Sequence, residues 1–159
     1  MSEAILIIAS VVIATSIAGV VMSQVGVFES TFTATSENQK DIMLTKVKIV
    51  YATNTTDNNV SIWVKNIGIN PITDVHKLDV YYGEIGQVLN IVYVEGCLVG
   101  DTCIDEEWDY DNKPNPFWQI MDTFSLNITD FDLQKDVTYV VSVTTPNGVT
   151  DEHIFSLPS

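Results

Sequence analysis

The chain has 159 residues and a net charge of −14, from 21 acidic residues against 7 lysines and no arginine. Phosphate binding depends on Lys and Arg for charge neutralisation and for geometry, so this composition argues against nucleic acid as a partner. The length fits one domain with a short accessory segment.

An uncharged run of nineteen residues, Ala4–Met22, lies near the N-terminus. At about 1.5 Å per residue it crosses a hydrocarbon core of about 30 Å, so it predicts a membrane-spanning helix. No basic residue precedes the run and no small-residue cleavage box follows it, which argues against a secretory signal peptide. A buried helix of a soluble domain fits less well, because the run is apolar on every face.

Small residues recur along this run at helical spacing and form two adjacent stripes. The stripes are Ser10, Ala14 and Ala18, and Thr15, Gly19 and Ser23. Such stripes allow two helix backbones to approach closely, and they predict helix–helix packing. The alternative is that Ala, Ser and Gly are simply common in membrane helices.

Beyond the run, Val25, Phe28 and Phe32 keep the helical spacing. This predicts that the helix continues as a stem to about residue 40. The alternative is a disordered tether through Ser30–Ser36, because β-branched threonines disfavour a helix there. The predicted domains are a helix and stem over residues 1–42 and a β-domain over 43–159.

After Ile42 the hydrophobic period changes from 3.6 to 2, which is typical of strands. Seven strands separated by turn signals predict a mainly β chain whose second domain is an antiparallel Ig-like β-sandwich. The Asn147-Gly148 pair predicts a tight hairpin between the last two strands. The predicted strands are Lys46–Ala52, Asn59–Asn66, Leu78–Tyr82, Val88–Glu95, Thr123–Ile128, Val137–Thr145 and Val149–Leu157.

The two cysteines, Cys97 and Cys103, are separated by five residues. They predict a disulfide that closes a tight loop in an oxidising compartment. Two free thiols are the first alternative. A metal site is the second, although the two histidines, His76 and His153, lie far away in sequence.

Three N-x-[ST] sequons begin at Asn54, Asn59 and Asn127 and are candidates for N-glycosylation. Together with the cysteine pair they predict that the β-domain lies outside the cell. Lysines at positions 40–48 favour the opposite orientation.

The run Asp101–Asp111 is strongly acidic. In an extended chain its alternating carboxylates would share one side and could form a weak Ca²⁺ site. The alternative is a solvated acidic loop. The candidate ligands are Asp105, Glu107, Asp109 and Asp111.

No catalytic arrangement stands out. A Ser/His/Asp set would have to use His76 or His153, and there is neither a nucleophile elbow nor a glycine-rich phosphate loop. The sequence therefore predicts a non-enzymatic protein without a cofactor.

The tryptophans favour packing or contact over catalysis. Alternation places Trp63 on the opposite face of its strand from the apolar residues around it. Trp108 and Trp118 fit a sandwich core, and any exposed aromatic side chain would mark an interface.

Several short motifs carry a family resemblance. Met1-Ser2-Glu3-Ala4 precedes the single span, Val64-Lys65-Asn66-Ile67-Gly68 follows in the β-domain, and Thr145-Pro146-Asn147-Gly148 lies near its end. This layout resembles the archaellum G/F proteins, which are membrane-anchored β-sandwich components of the archaeal motility motor. It is more similar to the G member than to F.

The resemblance implies a structural role as a stator or anchor between the cytoplasmic membrane and the surface layer. The implied partners are an F-type archaellum protein, the surface-layer protein or further copies of the chain. A filament-forming archaellin- or pilin-like subunit is the nearest alternative. Those families place a basic residue and Gly before the apolar run, whereas only Met1-Ser2-Glu3 stands there. An anchored extracellular binding domain or hydrolase is a third reading.

Overall fold

The computed structural model describes residues 2–97, 104, 106–111 and 117–157. It contains an α-helix, α1 (Ser2–Leu44), and a β-domain that follows it and includes a short 3-10 helix, Val75–Lys77. The chain divides into two compact units, Met1–Lys40 and Asp41–Ser159.

Helix α1 is continuous for 43 residues. In the described part of the chain it is the one helix long and apolar enough to cross a membrane. At 1.5 Å per residue it is about 65 Å long, roughly twice the thickness of a hydrocarbon core. The predicted helical stem is therefore confirmed, and the disordered tether through Ser30–Ser36 is wrong. Phe28 and Phe32 stack on its surface with ring centroids 6.2 Å apart.

The β-domain is an eight-stranded mixed sheet folded into a sandwich that nearly closes as a barrel, and this confirms the predicted mainly β fold. The strand order is β1-β2-β6-β5-β4-β3-β7-β8. Every neighbouring pair is antiparallel except β4 and β5, which pair in parallel over two residues. The strands are β1 (Val47–Thr56), β2 (Asn59–Asn66), β3 (Asp79–Glu84), β4 (Gln87–Tyr93), β5 (Glu107–Asp111), β6 (Thr123–Thr129), β7 (Thr138–Thr144) and β8 (Thr150–Ser156).

Alternation along the strands builds the core, because every second side chain points inward. In β2 the inward residues Val60, Ile62 and Val64 are fully buried, and the corresponding residues of β6 and β7 face them. Trp63 points outward, as predicted, and packs on Tyr51 of the neighbouring strand with ring centroids 5.6 Å apart.

Strand β5 was not predicted, because it lies inside the acidic run. Trp108 at its centre is fully buried and packs on Tyr93 of β4 at 4.9 Å. On its other side β5 pairs antiparallel with β6. The buried Trp108 side chain thus holds this segment in the sheet.

The two ends of the sheet meet through Asp151 of β8. Its carboxylate Oδ2 accepts the backbone N–H of Ile49 at 2.8 Å, and its Oδ1 lies 3.0 Å from Nζ of Lys48. A side chain thus takes the place of backbone pairing between β1 and β8. The predicted hairpin between β7 and β8 is present, with Gly148 at a φ of 85° in its turn.

Candidate assembly site

The two stripes of small residues lie on α1, and all of their side chains are exposed. Two of the three hydroxyls in these stripes, those of Ser10 and Thr15, bond to carbonyls within the helix. Ser10 Oγ donates to the carbonyl of Ile7 at 2.8 Å, and Thr15 Oγ1 lies 3.0 Å from the carbonyl of Val11. Because the helix satisfies them internally, these side chains can pack against another helix without a polar partner.

The motif residue Asn66 is buried and holds two loops of the β-domain together. Its Nδ2 donates to the carbonyls of Asn70 at 2.9 Å and Trp118 at 3.2 Å. Its Oδ1 accepts the backbone N–H of Gly68 at 3.0 Å. All hydrogen-bonding atoms of the amide group are therefore used in the turn that follows β2.

Gly68 in the same motif allows two backbone segments to touch. A Cβ at this position would lie 2.6 Å from the carbonyl oxygen of Leu44 and 2.6 Å from the amide nitrogen of Lys46. Beside it, the backbone N–H of Ile69 donates to the carbonyl of Leu44 at 2.9 Å. The turn after β2 thus packs on the segment that begins the β-domain, and only glycine leaves room for the contact.

The second motif reaches the same segment from the other end of the chain. Nδ2 of Asn147 donates to Oγ1 of Thr45 at 2.7 Å, and Thr45 Oγ1 donates to the carbonyl of Asp41 at 2.8 Å. Both motifs that carry the family resemblance therefore converge on residues 41–46. Sequence reasoning found the motifs but not this meeting point, which depends on contacts between distant parts of the chain.

The acidic run is only partly described: Asp105 and the side chain of Asp111 lie outside the described residues. Asp109 is only 3% exposed, and its carboxylate accepts the backbone N–H groups of Gly96 and Tyr110, each at 2.8 Å. Glu107 Oε2 accepts the N–H of Ile104 at 2.9 Å. Asp109 is thus buried and not solvated. The carboxylates of Asp109 and Glu107 both accept hydrogen bonds from backbone N–H groups. In the part of the chain that the structure describes, no group of three or more metal-ligating residues occurs. The Ca²⁺ site stays a prediction.

Cys97 is buried at the end of the loop that Asp109 holds. Cys103 lies outside the described residues, so the bond between the two cysteines stays a prediction.

A polar cavity of about 510 Å³ opens between the two halves of the sandwich. Tyr82 and Tyr139 stack beside it, with ring centroids 5.5 Å apart, and the hydroxyl of Tyr82 donates to Asp130 at 2.9 Å. Burial, and then the neighbouring Asp130 carboxylate, raise the pKa of Tyr82 well above its usual range. The cavity holds a neutral tyrosine and carboxylates, without a described histidine or lysine beside them.

Each histidine lies against an aromatic side chain. His76 lies against Tyr93 with ring centroids 6.4 Å apart, and His153 lies against Phe155 at 6.3 Å. Trp108 and Trp118 are fully buried, as expected for core residues. The described residues bring no histidine, carboxylate and nucleophile together.

The comparisons with known proteins agree with this architecture. A family model described as archaeal-type flagellin matches residues 1–155. The chain belongs to the archaeal-type flagellin family. The match covers the apolar helix and the β-domain together. No curated protein sequence matches the chain.

Solved structures also resemble the chain. The archaellum periplasmic stator protein FlaG from Sulfolobus acidocaldarius is 27% identical, with a TM-score of 0.60, over 70% of this chain and 100% of that chain. The complex of the periplasmic stator proteins FlaF and FlaG from the same organism matches at 27% identity and a TM-score of 0.59, over 70% of this chain and 90% of that chain. The resemblance to the archaellum G/F proteins is thereby confirmed, and these structural neighbours are structural components of the archaellum.

Proposed function

We propose that this chain is a non-enzymatic stator subunit of the archaellum, anchored in the cytoplasmic membrane by α1, with its β-domain between the membrane and the surface layer. The observation that carries the proposal is the likeness to FlaG, which extends over the whole of that chain. The chain also has a helix of 43 residues whose apolar part is long enough to cross the membrane.

The convergence of both family motifs on residues 41–46 supports a load-bearing role. Force between membrane and envelope enters the β-domain at its first residues. There Gly68 packs on the backbone of Leu44, and Asn147 bonds Thr45. Two distant loops contact this segment. Pulling the segment away from the β-domain must break the contacts of both loops, which takes more force than breaking the pairing of β1 alone.

An F-type archaellum protein is the proposed partner of the β-domain. The outer face of β3, β4, β7 and β8 offers an apolar row for it. Across this face Val88 pairs with Gly83, Gly83 with Val140, and Val140 with Ile154. Val88 and Ile154 are 39% and 55% exposed, whereas Val140 between them is 8% exposed. An apolar row on an otherwise acidic domain is typical of a protein interface.

This partner surface is tested by a double substitution, Val88→Asp with Ile154→Asp, in the full-length chain. We expect co-purification with the F-type protein to fall at least about tenfold, because two charges would be buried in the interface. Val50→Asp is the control for a charge placed outside this face, since Val50 is as exposed as Ile154, at 55%, but lies on β1. This face would not be the partner surface if the control lost as much co-purification with the F-type protein as the double variant, or if the double variant lost none.

A filament-forming, archaellin- or pilin-like subunit is the second candidate, because the matching family model is one of archaeal-type flagellin and includes the helix. In a filament the uncharged runs Ala4–Met22 of the helices would pack at the axis. Electron microscopy of the purified full-length chain separates the two functions. Small complexes are expected if the chain is a stator subunit, and regular filaments are expected if it is a filament-forming subunit.

A cell that lacks the gene provides the functional test. A stator defect should leave assembled filaments that do not rotate the cell effectively. Loss of the filaments themselves would favour the second candidate. Protease added to cells without a closed surface layer should remove the β-domain, and protection until lysis would contradict the outside placement.

A further inference from the structure

Two of the three sequons lie directly opposite each other in the sheet. The first is Asn59-Val60-Ser61 in β2, and the second is Asn127-Ile128-Thr129 in β6. In the antiparallel register Asn59 is the partner of Thr129, and Ser61 is the partner of Asn127. Each acceptor asparagine of one sequon therefore stands beside the hydroxyl residue of the other.

The hydrogen bonds between these sequons are reciprocal. Ser61 Oγ donates to Asn127 Oδ1 in a short bond, and Thr129 Oγ1 donates to Asn59 Oδ1 at 3.3 Å. Asn127 is 6% exposed, Ser61 4% and Thr129 5%. The amide of Asn127 and both hydroxyls are thus enclosed by the sheet and by the side chains above it.

Such a pair is incompatible with N-linked sugar. A glycan on Asn127 would have to leave through a position with almost no solvent contact, and it would disturb the bond from Ser61. A glycan on Asn59 would need an acceptor site that includes Ser61, whose hydroxyl is buried. Folding of β2 against β6 therefore excludes modification of Asn127. Asn59 is itself partly exposed, but the same folding buries the Ser61 hydroxyl on which its sequon depends.

The remaining sequon, Asn54-Thr55-Thr56, differs in the exposure of its hydroxyl residues. Its hydroxyls bond within the β1–β2 hairpin: Thr55 Oγ1 accepts from Ser61 Oγ at 3.3 Å, and Thr56 Oγ1 accepts the N–H of Asn58 at 3.4 Å. Asn54 is partly exposed near the end of β1, and Thr55 and Thr56 are exposed. The β1–β2 pairing is irregular between Asn54 and Thr56, so the strand is already loosened there. The sequon lies next to the hairpin turn, at the opposite end of β1 from the segment that begins the β-domain.

We propose that Asn54 is the N-glycan acceptor of this protein and that Asn59 and Asn127 are structural residues which remain unmodified. In the reaction the amide nitrogen of Asn54 attacks the anomeric carbon of a lipid-phosphate-linked oligosaccharide. The bond between that carbon and the phosphate oxygen breaks, the lipid phosphate leaves, and the amide loses one proton. The proposal rests on the outside placement of the β-domain, where such a donor is used.

The test is mass spectrometry of glycopeptides from the full-length chain, purified from an archaeal cell that performs N-glycosylation. Sugar is expected on the peptide with Asn54 and absent from those with Asn59 and Asn127. Asn54→Gln and Thr56→Ala should each abolish the modification, while Thr56→Ser should retain it. Sugar on Asn59 or Asn127 in the folded protein, or an unmodified Asn54, would overturn the proposal.

An engineered second sequon distinguishes two reasons why Asn54 could lack sugar. Either Asn54 is not the acceptor, or the β-domain is not outside the cell. Asp136→Asn completes a sequon with Val137 and Thr138 in an exposed turn, and Asp136 has a φ of 63°, which asparagine tolerates. Modification at position 136 with none at Asn54 would contradict the proposal and leave the outside placement intact. Modification at neither position would contradict both.

Discussion

The side-chain amide of Asn147 lies 2.7 Å from Oγ1 of Thr45, although 102 positions separate the two residues. The bond ties the turn between the last two strands to the segment that begins the β-domain. Thr45 also bonds back to the carbonyl of Asp41, so the amide closes a short chain of hydrogen bonds.

Asn147→Ala should therefore loosen residues 41–46 more than the rest of the domain. We expect a loss of about 1–2 kcal/mol in the free energy of unfolding, because the hydroxyl of the buried Thr45 loses its donor. Hydrogen exchange measured by residue should show faster exchange at the amide of Ile69, which donates to Leu44. Asn90→Ala is the control, since Asn90 is exposed on β4. Unchanged exchange at Ile69 would show that the bond does not hold the segment.

Asp109 should matter for stability more than an acidic surface residue does. Asp109→Ala leaves the N–H of Gly96 without its acceptor, and we expect a loss of about 2–3 kcal/mol in the free energy of unfolding. Asp109→Asn keeps one oxygen and should lose less. Asp132→Ala, at an exposed position, is the matched control. Urea unfolding measures all three, and equal midpoints for Asp109→Ala and Asp132→Ala would show that the carboxylate does not hold the loop.

Strong alkali should destabilise the β-domain through Tyr82. Its pKa is raised in the folded state by burial and by Asp130, whereas the unfolded chain has the usual value of about 10. The stabilisation is therefore fully present below about pH 10 and is lost as the pH rises, since only the unfolded tyrosine then releases its proton. Unfolding midpoints measured at increasing pH should fall less steeply in Tyr82→Phe. Tyr51→Phe, at an exposed position, is the control. If the unfolding midpoint of Tyr82→Phe fell with pH as steeply as that of the unchanged chain, Tyr82 would not be the source of the alkaline destabilisation.

Much of the fold could be predicted because it depends on local pattern. The alternation of Val60, Ile62 and Val64 indicates both a strand and its buried face, and Asn147-Gly148 indicates the hairpin. These signals arise between neighbouring residues, so one sequence contains them.

The rest depends on contacts between distant residues. The sequence around Asp109 suggests a solvated acidic loop. Its burial could not be predicted, because only the fold brings the N–H of Gly96 to the Asp109 carboxylate. The sequons read as three equivalent acceptors, because only the register of β2 and β6 places Ser61 beside Asn127. The bond between Asn147 and Thr45 also depends on the fold, because the local sequence around each residue gives no indication of the other.

The small-residue stripes of α1 predict a further outcome. Replacing Ala18 and Gly19 with Leu should weaken assembly of the full-length chain in membranes, because close helix packing needs small side chains. Thermal unfolding of the β-domain should not change. Val20→Leu with Val21→Leu is the control, since those positions already carry larger side chains. Chemical cross-linking in membranes measures the effect, and equal cross-linking in both variants would exclude these stripes as the packing surface.

The central claim is that this chain stays with the cell envelope while the filament turns. It is tested most directly by shearing archaella from cells and quantifying the chain in the purified filaments and in the remaining envelopes. The stator account predicts that nearly all of it stays with the envelope, in amounts far below those of the filament subunit. Recovery of the chain in the sheared filaments, as a repeating subunit, would contradict the account.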